Sequence, residues 1–100
     1  METPAPRGDF PILGRTGRGG HPLVYLDSGA TSQSPRQVID AVVDAWSQHN
    51  GAVKRGSHLL AEESSEAFET ARDRVARFVG ADSDEIVWTS GSTQSLNLIA

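Results

Sequence analysis

The stretch that most constrains this chain is its last, Glu85-Ile-Val-Trp-Thr-Ser-Gly-Ser-Thr-Gln-Ser-Leu-Asn-Leu-Ile-Ala100. Glu85 to Thr89 is a short run of β-branched and aromatic residues, the pattern of a buried strand. Ser90-Gly91-Ser92-Thr93 is a small, hydroxyl-rich turn, and Leu96, Leu98, Ile99 and Ala100 open an apolar helix. A strand, a tight turn and a helix in that order direct free backbone N–H groups and the positive end of a helix dipole toward an anion. Gly91 allows close backbone approach, and the hydroxyls of Ser92 and Thr93 add donors. A plain helix cap formed by Ser92 or Thr93 fits the same residues.

One strongly apolar strand cannot bury both of its faces alone, and the terminal helix has no Gly, Asn, Lys or Arg to end it. The expectation is an α/β fold of which these 100 residues are the N-terminal part. Residues 1–20, rich in Pro and Gly, read as a flexible arm, with Phe10, Ile12 and Leu13 able to anchor one turn of it. Residues 21–100 read as part of a larger domain. Pro22 to Leu26 is a second strand candidate, followed by the small polar loop Asp27-Ser28-Gly29-Ala30-Thr31, which suits a ligand's approach or an ordinary Asx turn.

Ser34-Pro35-Arg36-Gln37 predicts a helix start with Ser34 as N-cap, Pro35 in the first turn and Gln37 as capping-box partner. Val38, Ile39, Val42, Val43 and Trp46 share one face, with Trp46 a core anchor, and Gly51 marks the exit. Leu60 to Val79 predicts a long amphipathic helix with the stripe Phe68, Ala71, Val75, Phe78 and Val79, an Asp73–Arg77 pair, and Gly80 as its stop. Between these helices Lys54-Arg55-Gly56-Ser57-His58 forms a loop dense in cationic and titratable groups. Such loops are most often solvated surface; flanking glycines also let one fold around an anionic group.

A net charge of −4 gives no nucleic-acid footprint, and no apolar run or basic-then-apolar leader suggests a membrane span or secretory signal, so cytoplasm is the expected location. The chain has no cysteine, which leaves no thiolate nucleophile here, and its three histidines lack metal-ligand spacing. There is no G-x-x-x-x-G-K-[ST] motif, no G-x-G-x-x-G and no G-x-S-x-G. What remains is an anion-cradling turn and a cationic loop.

Four segments together resemble the N-terminal portion of the class V, fold-type-I pyridoxal-phosphate enzymes. They are Asp9-Phe10-Pro11-Ile12-Leu13, Val24-Tyr25-Leu26-Asp27-Ser28-Gly29-Ala30-Thr31-Ser32, Lys54-Arg55-Gly56-Ser57-His58 and Ser90-Gly91-Ser92-Thr93-Gln94-Ser95-Leu96-Asn97. Within that class the chain is similar to SufS-like cysteine desulfurases and the selenocysteine lyases grouped with them. Ser90 to Gln94 stands where family members often carry Arg-Gly-Thr-Thr-Glu, and Lys54 where His is common. The resemblance implies that Gly91, Ser92 and Thr93 hold the 5′-phosphate of pyridoxal phosphate. It also implies that Arg55, His58, Gly29 and Ala30 lie near the substrate, with Arg55 suited to pair with a carboxylate or a phosphate.

The same resemblance implies a parent enzyme that takes sulfur from L-cysteine, leaves L-alanine, and passes a persulfide to a sulfur-acceptor protein for iron–sulfur cluster assembly. It further implies a homodimer. The family's cofactor-anchoring lysine, its ring-pairing aspartate, its stacking histidine and its persulfide-carrying cysteine have no counterpart in this segment, so no catalytic residue and no activity are expected of it alone. Other readings are another class V enzyme (a selenocysteine lyase, an epimerase-like homologue or an aminotransferase) and a non-catalytic truncated product.

Overall fold

The computed structural model describes residues 6–100. The chain divides after His49 into two units. The first carries three short 3-10 turns, Arg7–Asp9, Pro11–Gly14 and Arg18–Gly20, and then helix α1 (Arg36–Gln48). The second carries α2 (Leu59–Val79), a 3-10 turn at Ser83–Glu85, and α3 (Ser92–Ile99).

Backbone and guanidinium bonds order the first unit. Arg7 Nη2 donates to Leu13 O at 2.9 Å and to Leu23 O at 2.7 Å, which ties the short turns to the Leu23 segment. Gly17 N donates to His21 O and Leu23 N to Arg15 O, around an isolated antiparallel bridge between Thr16 and Pro22. Phe10 and Leu13, the expected anchors, line an open cleft of about 330 Å³ with Tyr25, Ser28, Ser32 and Gln33.

Helix α1 starts one position later than its sequence signature predicts. Pro35 is the N-cap, its carbonyl accepting from Val38 N and Ile39 N, and no side chain caps the helix. Ser34 is therefore not the cap, and Gln37, instead of reaching back, donates through Nε2 to Asp9 Oδ2 at 3.1 Å. Helix α2 matches its expected span to within one residue. It ends at Gly80, whose φ of 75° is the left-handed conformation that glycine adopts without steric cost. Ala81 N donates back to Ala76 O at 2.9 Å to complete the closure. The Asp73 carboxylate accepts from Ser83 Oγ, which joins α2 to the Ser83–Glu85 turn, a role the expected Asp73–Arg77 pair did not foresee.

The two expected strands are absent: among the described residues there is no β-strand, and Glu85 belongs to the preceding 3-10 turn. Ile86 is extended, with φ −97° and ψ 121°, but extended backbone becomes a strand only when a neighbour completes its hydrogen bonds. The apolar faces lack cover in the same way. Trp46, the expected core anchor of α1, is 77% exposed, and Phe78 in the expected stripe of α2 is 90% exposed. Among the described residues the buried apolar ones are two alanines of α2, Ala61 and Ala76. Amphipathic helices are thus formed with their apolar faces still in water. No helix among the described residues is long and apolar enough to cross a membrane.

Candidate functional site

In the second unit the predicted anion turn forms where a helix begins. Gly91 is the N-cap of α3, nearly fully extended at φ 159° and ψ 179°, and no side chain caps the helix. The first amides of a helix have no acceptor within it. The N–H groups of Ser92, Thr93 and Gln94 are therefore available, and the Ser92 and Thr93 hydroxyls have no partner among the described residues.

The turn is braced from behind these donors. Gln94 Oε1 accepts from Ser90 N at 2.7 Å and from Ser90 Oγ at 2.8 Å. Ser95 Oγ lies 2.7 Å from Thr89 Oγ1 and donates to Gly91 O at 3.1 Å. Asn97 Nδ2 donates to Thr93 O at 2.8 Å. Gln94, the N3 residue, thus reaches back past the N-cap to Ser90, while glycine at the N-cap has no side chain to occupy the first amides. A phosphate dianion fits this donor set: several N–H and O–H donors, no carboxylate among them, and a helix dipole of favourable sign.

The cationic loop is built differently. Gly51 N donates to Ser64 Oγ at 3.0 Å and Lys54 N to Ser65 Oγ at 2.8 Å, both side chains of α2. Gly51 sits so close to α2 that a Cβ there would lie 2.3 Å from Leu60 O. Lys54 adopts φ 59°, a left-handed conformation that costs a non-glycine residue roughly 1–2 kcal/mol. Its ammonium meets Glu69 Oε1 at 2.5 Å, and Arg72 binds the other oxygen of the same carboxylate, with Nε at 3.1 Å from Oε2. The bonds from Lys54 first, and then from Arg72, hold the Glu69 carboxyl below its ordinary value of 4.5. Arg72 also lies over the Phe68 ring at 5.9 Å, and Phe68 meets Trp88 edge-on at 6.3 Å.

The site residues expected from sequence fall into distinct settings. Arg55 is exposed on the loop, its N–H directed at Ala52 O at 3.5 Å. His58 is the N-cap of α2, its Nδ1 accepting from Ala61 N at 3.4 Å, so one ring nitrogen is engaged in ending the loop. In the first unit Gly29 and Ala30 lie in a turn closed by Ala30 N and Thr31 N on Asp27 O, with Tyr25 Oη 2.5 Å from Thr31 O. Sequence reasoning missed Ser64, Ser65 and Glu69, which hold the loop, and Gln94 and Ser95, which hold the turn. The Gln94 spacing from Ser90 was a readable signal; the α2 residues gave none.

Residues 24–100 match the family described as Aminotransferase class-V. A probable cysteine desulfurase of Streptomyces coelicolor is 52% identical over the whole of this chain, which covers 24% of that protein. Probable cysteine desulfurase 2 of Mycobacterium leprae is also 52% identical over the whole chain, again covering 24% of it. A probable cysteine desulfurase of Vibrio cholerae is 53% identical over 94% of this chain and 23% of its own length. The chain thus spans about a quarter of the length of these relatives.

Proposed function

This chain belongs to the aminotransferase class-V family, and on that premise we propose that it is the N-terminal quarter of a SufS-like cysteine desulfurase dependent on pyridoxal phosphate. The observation that carries the reading is the uncapped entrance of α3, where the amides of Ser92, Thr93 and Gln94 and the Ser92 and Thr93 hydroxyls have no acceptor or partner among the described residues. In this reading Gly91, Ser92 and Thr93 hold the cofactor's 5′-phosphate. When bound, the cofactor supplies an electron sink that weakens bonds at the amino acid it carries.

This chain's own residues bind and orient. Arg55 offers a planar, permanently charged guanidinium to the substrate carboxylate, and His58 shapes the end of the same loop. Gly29 and Ala30 stand near the mouth of the substrate site. The reaction moves the sulfur of L-cysteine to an enzyme thiol: the C–S bond breaks, the thiol becomes a persulfide, and a proton completes the methyl group of L-alanine. The segment has no cysteine, so the thiol comes from elsewhere in the full-length protein. The persulfide then goes to an acceptor protein of iron–sulfur cluster assembly, in the cytoplasm, from a homodimeric enzyme.

The test is incubation of the full-length, cofactor-loaded protein with L-cysteine and a thiol reductant. Equal yields of L-alanine and sulfide are expected. Transamination products, or no turnover of L-cysteine, would overturn the assignment.

A further inference from the structure

We propose that Glu69 and Ser65 of α2 are positioning residues that set the direction of Arg55 toward the substrate carboxylate, a step that rests on the reading of Arg55 given above. Ser65 and Glu69 are four residues apart and so share one face of α2. Both take hold of the same residue, Lys54: Ser65 Oγ accepts its backbone N–H at 2.8 Å, and Glu69 meets its ammonium at 2.5 Å. Ser65 is itself fixed, its hydroxyl donating to Ala61 O at 2.6 Å. Glu69 is fixed by Arg72 one turn further on.

Lys54 is also the described non-glycine residue with positive φ, and it immediately precedes Arg55. A residue stays in a disfavoured backbone conformation only when its surroundings over-determine it. Here a backbone bond and a charged side-chain bond to one helix face do so. Relaxing Lys54 to negative φ would swing the next peptide and redirect the Arg55 side chain. The ion pair has a second consequence. Two adjacent cations would compete for one anionic group, but the Lys54 ammonium is already held at Glu69, a carboxylate it shares with Arg72. The Arg55 guanidinium has no ion pair among the described residues and remains the loop's uncommitted cation.

The test uses the full-length, cofactor-loaded protein, read by hydrogen exchange over residues 50–57 and by steady-state kinetics with L-cysteine. Glu69→Gln and Lys54→Met should each speed exchange at the loop amides. Each should raise KM by about two- to fivefold, the range that exposed ion pairs correspond to, with kcat and cofactor content unchanged. The double variant should be no worse than either single. Ser65→Ala, which removes the backbone acceptor and leaves the charges alone, should act in the same direction. If Arg55→Ala raises KM while Glu69→Gln and Ser65→Ala leave both exchange and KM at wild-type values, the positioning role is wrong and the Arg55 reading stands. If Arg55→Ala itself leaves KM unchanged, the Arg55 reading fails and takes the positioning role with it.

Discussion

Between Gly51 and Gly56 the backbone is held by side chains of another element, whereas between Thr89 and Ser95 it is held by side chains of the same short segment. The loop's bonds reach 13 residues to Ser64 and 11 to Ser65. The turn's bonds span four residues from Ser90 to Gln94 and six from Thr89 to Ser95. The loop therefore has its shape only while α2 is in place, and the turn carries its shape with it. A site that receives a cofactor benefits from the second arrangement, because its donors are aligned before binding. A site that grips and releases a substrate can use the first, where one helix face sets the aim of the cation.

The sharpest way to break this contrast is Gly51→Ala. The added methyl would lie 2.3 Å from Leu60 O, 2.5 Å from Leu60 C and 2.8 Å from Ala61 N, all backbone atoms that cannot turn aside. Displacing the loop or the start of α2 is expected to cost about 1–3 kcal/mol, the usual range for overpacking, measured by denaturant unfolding. Exchange at residues 89–95 should stay unchanged. A turn that loosened along with the loop would show that the two are not independent.

Gln94→Ala is the complementary change and a smaller one. It removes the acceptor of two exposed hydrogen bonds, so about 1 kcal/mol of local stability should be lost at the entrance of α3. Faster amide exchange confined to residues 89–95 is the expected readout, and Gln94→Glu, which keeps the acceptor, should restore protection.

Acid separates the two regions without mutation. Glu69 has its folded pKa lowered, mainly by Lys54 and then by Arg72. Its contribution is therefore complete above the ordinary carboxylate value of 4.5 and is lost as pH falls below that through the lowered folded value. The turn from Thr89 to Ser95 holds no titratable side chain. Loop exchange should thus rise as pH drops below 4.5, while the turn's exchange, corrected for intrinsic pH dependence, stays flat.

The same difference in reach explains what could be read from the residues. α2 with its Gly80 stop and a helix entrance within Gly91 to Thr93 are products of local chemistry, and the sequence pattern located them, although Gly91 and not the hydroxyl of Ser92 or Thr93 is the N-cap. The bonds from Ser64, Ser65 and Glu69 depend on which residues the loop meets when it folds against α2, and a serine in a helix carries no mark of that. The expected strands at Pro22 to Leu26 and Glu85 to Thr89 failed for a related reason. Strand character is conferred by partners, and among the described residues the first segment finds one isolated bridge, Thr16 to Pro22, while no bridge forms at the second. At α1 Pro35 and not Ser34 is the N-cap, and Gln37 bonds Asp9, again a distant contact.

The most direct measurement is the dissociation constant of pyridoxal phosphate from Thr93→Val full-length protein beside Arg55→Ala. Exchanging a hydroxyl donor for a methyl against a charged ligand group costs on the order of 1.5–3 kcal/mol, so Thr93→Val should bind the cofactor at least about tenfold more weakly. Arg55→Ala should bind it as the wild type does. Equal, undiminished affinity in Thr93→Val would mean that the entrance of α3 does not hold the phosphate.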